Sequence, residues 1–329
     1  MTLSTDATTD GASVGLTAVW TIYTLDAAGP LMLSEVLKLR LSSLRRGRGE
    51  PAEGRAALAV PRNTGSQPHF SSDLAECFPE GVVCETPHGE VFACDVSLKE
   101  IHSGGSDLGD AFVGLFTRAG GQAAAEGLPQ HIELLREAAP HTTALIDTET
   151  AGFHGRPLFL IGLIRYDGNG LILTQYFARD YAQEAALLGK FADLLPQIDL
   201  MISFNGKAFD WPFIRDRMVY HRLRVESSFA HLDLLYPSRR RWRAQLPNCQ
   251  LKTLERHLCG RWRSGDVPSH EIPQRYHSYV RDQDARLIAP VFHHNRLDLI
   301  TMVELLVALS GSGRGIEGER RTMTPLVRR

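Results

Sequence analysis

Two carboxylates close the apolar run in "TTALIDTETAGFHG" (142–155), where Asp147 and Glu149 follow directly on Ala144, Leu145 and Ile146. In a strand, side chains at positions i and i+2 share a face. Asp147 and Glu149 therefore aim at one place, and no Lys or Arg follows them until Arg156. Like charges so placed repel unless a cation lies between them. Taken alone, such a pair is more often a solvated strand end, so other carboxylates must decide.

The stretch "LMISFNGKAFDWPFI" (200–214) repeats the pattern: an apolar run, a polar turn, then Asp210 at the head of a helix with Trp211, Phe213 and Ile214 as its apolar residues. Open sheets collect their sites at the carboxyl ends of strands, which is where Asp210 would stand beside Asp147. Asp is also a favoured helix cap and Pro212 suits a first turn, and both roles can hold at once. In "VFHHNRLDLITM" (291–302), His294 and Asp298 are four residues apart and share one helix face. Asp298 sits among Leu297, Leu299, Ile300, Met302 and Val303, so its carboxylate needs a partner. Four oxygen donors from two strand ends and two helices suit Mg²⁺ or Mn²⁺. Two such ions, about 4 Å apart, can clamp a phosphodiester for in-line attack.

The segments "DTET", "FNGKAFDWPFI" and "HHNRLDL" resemble, in order, the three motifs of the DEDD exonucleases, which share the ribonuclease-H-like fold. "NGKAFDWPFI" and "CQLKTLERHLCG" also resemble the proofreading domain of family B DNA polymerases. The chain also resembles the YprB-type ribonuclease-H-like family, over roughly half its length, from about Thr142 to Ser310. The resemblance implies that Asp147, Glu149, Asp210 and Asp298 hold two Mg²⁺ or Mn²⁺ ions in a 3′–5′ exonuclease acting on single-stranded DNA or RNA. It implies that one ion acidifies a water and the other stabilises the departing 3′-oxygen. The fifth residue of the motif orients or deprotonates that water. His293 has the five-residue spacing of one subgroup, and His294 the four-residue spacing of the other, with His in place of Tyr. At ~100° per residue, His294 faces Asp298 far better, provided the helix has begun by then. A nucleic-acid-binding module that keeps the fold without turnover is the competing reading, and an adaptor whose N-terminal part binds a partner is a third.

"SRRRWRAQ" (238–245) places Arg239, Arg240 and Arg241 beside Trp242, with Arg243 beyond. Arg suits phosphate and Trp can stack on a base; a solvated loop with one anchoring Trp is the alternative. Asn205 would touch the substrate backbone or hold its own turn.

The elements that must position these residues form an α/β fold, a ribonuclease-H-like mixed sheet flanked by helices with a smaller N-terminal extension. From 142 the pattern reads β-β-β-α-β-α-β-α-α, a hairpin beside a βαβ unit. Four segments are expected. Residues 1–70 form a loosely ordered region with one amphipathic basic helix at 31–49, and 71–140 a small subdomain with a hairpin at 81–98. Residues 141–310 form the ribonuclease-H-like domain, and 311–329 a polar tail. The Gly-rich "HSGGSDLGDAF" fits no phosphate-binding loop and reads as a plain loop.

Bulk composition is that of a globular protein, 43% hydrophobic and 22% charged. A net charge of −2 argues against coating nucleic acid by bulk electrostatics, though not against a local basic track. Five cysteines without a C-x-x-C pair speak against a zinc site and fit a reducing compartment. No apolar run is long enough to span a membrane, so a cytoplasmic location is expected.

Overall fold

Apolar, β-rich runs flank two glycine-bearing turns, and these runs become antiparallel hairpins of one sheet. The computed structural model describes residues 72–121, 130–152, 155–225, 228–263 and 265–310. The basic helix expected at 31–49 and the tail at 311–329 lie outside them. A short helix α1 (Ser72–Cys77) leads into β1 (Gly81–Thr86) and β2 (Gly89–Ser97). Gly89 opens β2 at φ 111°, a conformation that favours glycine. Helices α2 (Leu98–Ile101), α3 (Gly105–Gly121) and α4 (Gln130–Glu137) follow.

The second half supplies β3 (Thr143–Thr150), β4 (Leu158–Tyr166) and β5 (Leu171–Phe177), then α5 (Glu184–Ala192) and β6 (Leu200–Ser203). Next come α6 (Asp210–Tyr220), β7 (Ala230–Asp233), α7 (Leu235–Trp242), α8 (Leu251–Leu254), α9 (Ile272–Asp282) and α10 (Ala285–Leu309). The seven strands form one mixed sheet in the order β1-β2-β5-β4-β3-β6-β7. The N-terminal hairpin is part of this sheet, because β2 pairs antiparallel with β5. β3 runs antiparallel to β4 and parallel to β6, so the first acidic motif lies where the sheet changes from antiparallel to parallel pairing.

Alternation along β3 divides two apolar cores. Ala144 and Ile146 pack in one with residues of α5, α6 and α9; Leu145 packs in the other with α3, α4 and the C-terminal half of α10. Asp147 and Glu149 continue the Leu145 face.

Two segments differ from expectation. The Gly-rich stretch after His102 is not a plain loop but the start of α3. A Cβ at Gly105 would stand 2.4 Å from the Leu98 carbonyl oxygen, so this glycine serves close packing rather than flexibility. The arginine run lies on helix α7, whose inward residues Leu235 and Trp242 are too few to show a clear period. Helix α10 starts well before Pro290, capped by Asp284, whose side chain accepts a hydrogen bond from the Arg286 N–H. Both His293 and His294 are therefore deep within the helix. Among the described residues, no helix is long and apolar enough to cross a membrane.

Candidate active site

One row of residues crosses the sheet in register: Cys94 on β2, Gln175 on β5, Gly162 on β4 and Asp147 on β3. Helix α10 lies over this row and is pinned to it by buried polar side chains. Asn295 Nδ2 donates to Asp147 Oδ2 at 2.8 Å, and its Oδ1 accepts from Gln175 Nε2 at 2.8 Å. Arg296 Nε donates to Gln175 Oε1 at 2.7 Å and its Nη2 to Glu80 at 3.0 Å. Gly162 permits this closeness, since a Cβ there would fall 2.0 Å from Asn295 Oδ1. Asn295 and Gln175 are fully buried with these partners satisfied, so they set the rotation of α10 and with it the direction of Asp298.

The β3–β6 ladder stops at the Leu145–Ile202 pair, leaving the end of β3 open along that edge. Asp210, at the head of α6, enters there and accepts a hydrogen bond from Thr148 Oγ1. Gly206 makes room for it: a Cβ at this position would stand 3.0 Å from Asp210 Oδ2 and 2.5 Å from Ser203 Oγ. The turn is further tied by Asn205, whose φ is 66° and whose N–H donates to Asp233 Oδ1 at 2.7 Å.

Asp147 and Glu149 both feel the charges of Asp210 and Asp298. Burial, then the charges of Asp298 and Asp210, push Asp147 well above the ordinary carboxylate range, and the Asn295 hydrogen bond only partly opposes this. Burial pushes Glu149 well up too, and Asp147, Asp298, Asp210 and Asp266 all add in the same direction. Burial carries Asp210 to about 6 against the Thr148 hydrogen bonds.

Asp298 has a basic neighbour that the sequence did not suggest. Arg263 Nη2 lies 2.6 Å from Asp298 Oδ1, and the same guanidinium binds the buried Glu255. His294 is only 3% exposed, with Nε2 3.5 Å from Asp298 Oδ2 and Nδ1 2.7 Å from Asp266 Oδ1. His293 is on the exposed side of the helix. Asp266 is bound by Lys252 at 2.8 Å; burial disfavours its charge, but Lys252 and His294 outweigh that and hold its carboxyl below the usual range.

Sequence reasoning missed Asp266, Arg263 and Asn295. The first two lie between α8 and α9 in a segment without periodicity. Asn295 was visible only as a polar residue inside a buried helix. Of the residues expected to meet substrate, Arg239, Arg240 and Arg241 are exposed. Trp242 is not available for stacking: it is 7% exposed and packs with Leu232 and Leu234 in the core.

The donor chemistry fits a hard divalent cation, because half-buried carboxylates whose proton affinity is raised by one another are what such an ion would relieve. The shell is not closed, however. Among the described residues, no group of three or more His, Cys, Asp or Glu side chains is drawn together enough to hold a metal ion.

The sequence model of the RNase H superfamily matches residues 144–310, from β3 to the end of α10. The chain belongs to the RNase H superfamily. The chain is 32% identical over 171 residues to "Uncharacterized protein YprB" of Bacillus subtilis (strain 168). That match takes in 50% of this chain and 41% of the relative, so the chain spans well under half the length of the curated protein it matches. The family B DNA polymerase of the hyperthermophilic archaeon Pyrobaculum calidifontis aligns with a TM-score of 0.42 and 15% identity. The alignment covers 51% of this chain and 24% of the polymerase.

Proposed function

We propose that the chain is a divalent-metal-dependent 3′–5′ exonuclease acting on single-stranded nucleic acid. The observation that carries this is the approach of Asp147, Glu149 and Asp210 at the C-terminal end of β3, with Asp298 brought over them by α10 and the proton affinity of Asp147 and Glu149 raised by burial and by their acidic neighbours. The order of the three motifs is that of the DEDD exonucleases, and membership of the RNase H superfamily is consistent with hydrolysis.

Asp147, Glu149, Asp210 and Asp298 would hold two Mg²⁺ or Mn²⁺ ions. Once bound, these supply charge for the phosphate and acidity for the attacking water. The chain's own contribution is positional. Asn295 orients Asp147, and Thr148 orients Asp210. Asp266 accepts from His294 Nδ1, which leaves Nε2 as the basic nitrogen on the Asp298 side, in the arrangement by which a carboxylate sets a histidine tautomer. His294 then takes a proton from the hydrolytic water. Arg263 must yield Asp298 when cations enter.

The Arg263 contact also favours a second reading, a binding module in which this guanidinium permanently replaces the metal. Single-stranded DNA and RNA, labelled at each end in turn and incubated with Mg²⁺ or Mn²⁺, test both. Stepwise shortening from the 3′ end that is lost in Asp147→Asn supports the exonuclease. Binding without shortening supports the module.

A further inference from the structure

One glycine separates the acidic site from a second cleft. Ser203 Oγ, which a Cβ at Gly206 would meet at 2.5 Å, is 2.8 Å from His231 Nε2. His231 lines a cleft with His131, Lys207, Asp233, Tyr236 and Arg240. The cleft thus joins the second acidic motif, through Lys207, to the arginine run on α7, through Arg240.

Its chemistry is that of an anion site. Lys207 and Arg240 are exposed, and neither has a carboxylate partner among the described residues. The one acid in the lining, Asp233, is already committed to the backbone. Its Oδ1 accepts from the N–H groups of Asn205 at 2.7 Å and Leu235 at 3.0 Å, and its Oδ2 accepts from Lys207 N at 3.3 Å. Burial lowers the proton affinity of both histidines, helped by Arg240 and Arg241 at His131 and by Lys207 at His231, which falls to about 4. Both rings are therefore neutral at pH 7, and the positive field at the cleft comes from Lys207 and Arg240. Exposed Tyr236 adds a hydroxyl at the rim.

We propose that this cleft binds one non-scissile phosphate of the substrate strand, gripped by Lys207 and Arg240, and so holds the strand in register while another phosphate lies over the carboxylates. The proposal rests on the nucleic-acid reading above. It selects Arg240 from the arginine run as the residue facing a built site, and it adds Lys207, which no motif argument had singled out.

The test uses the full chain and two probes. Anisotropy of a fluorescent oligothymidylate in EDTA measures strand binding without hydrolysis. The p-nitrophenyl ester of thymidine 5′-phosphate, with Mn²⁺, measures chemistry on a substrate that has no second phosphate. Lys207→Ala and Arg240→Ala should each weaken oligothymidylate binding by roughly 3–10-fold and reduce the slope of log K against log salt by ~0.7, the value for one phosphate of a single strand. Because both grip the same phosphate, the double variant should lose no more slope than either single one. Ester turnover should fall far less than strand binding in all three, and Lys99→Ala should match the wild type as a charge control. Unaltered binding and slope overturn the proposal. So does ester turnover that falls in step with strand binding, which would give the cleft to the scissile phosphate. Inorganic phosphate that competes as well as the strand does would assign it to a free anion. If the wild type, given Mn²⁺, cleaves neither the oligothymidylate nor the ester yet the binding effects in EDTA persist, the exonuclease reading fails and the phosphate site stands.

Discussion

Asp147 and Asp210 carry opposite demands: as half-buried carboxylates among other acids they resist ionisation, and as the proposed metal ligands they must be ionised. Asp147→Asn or Asp210→Asn should abolish hydrolysis while leaving the metal-free protein folded and, at pH above the ordinary carboxylate range, slightly more stable than the wild type. Wild-type cleavage rates in both variants would end the two-metal reading. His294 and Asp266 form a second unit, since the carboxylate holds the ring through Nδ1 at 2.7 Å. His294→Ala should lower the maximal rate by about 100-fold or more with little change in strand binding. Asp266→Asn, which keeps the shape but not the charge, should lower it less, and exposed His293→Ala should leave it nearly unaltered. A larger loss from His293 than from His294 would remove His294 from the water-activating role.

Helix α10 and strand β4 meet at a distance that only a glycine allows. Gly162→Ala would force a methyl group to 2.0 Å from Asn295 Oδ1 and 2.7 Å from Leu299 Cδ1, both fully buried. Overpacking of this kind typically costs about 1–3 kcal/mol. At roughly 2–4 °C per kcal/mol the melting temperature should fall measurably, and the displaced α10 should carry Asp298 away from Asp147 and remove activity. Gly170→Ala is the comparison: a Cβ there meets nothing within 4 Å, so stability and rate should hold. Equal melting temperatures for the two variants would show that α10 is not pinned through the Asn295 row.

For the whole molecule, the acid cluster links folding to pH. Asp147, Glu149 and Asp210 all bind protons more tightly folded than unfolded, Asp210 with a folded value of about 6. Their contribution to stability is fully present below the unfolded range near 4 and is lost as pH rises through the folded values. The metal-free protein should therefore lose part of its melting temperature between pH 5 and pH 8, and Asp210→Asn should lose less. Millimolar Mn²⁺ should restore the loss at pH 8 and do little at pH 5, where protons compete for the same oxygens. Thermal scans at the two pH values, with and without metal, check this. A wild-type loss no larger than that of Asp210→Asn would show that the cluster does not set the dependence.

The acids on β3 and at the head of α6 were legible in the chain, because strand alternation and helix starts are local rules. Spacing on a helix likewise put His294 on the face of Asp298. These rules act over a few residues and need no knowledge of the partner element. Only the tertiary structure decided which groups surround them. Asp266 and Arg263 reach the site from an irregular segment between α8 and α9, and Trp242 turned inward because β7 and the helices beside it bury that side of α7. The Asn295–Gln175–Gly162 row and the cleft of Lys207 and Arg240 both join residues distant in sequence, so no periodicity encodes them. Local pattern determined where carboxylates could stand; long-range packing determined which cations, histidines and amides face them.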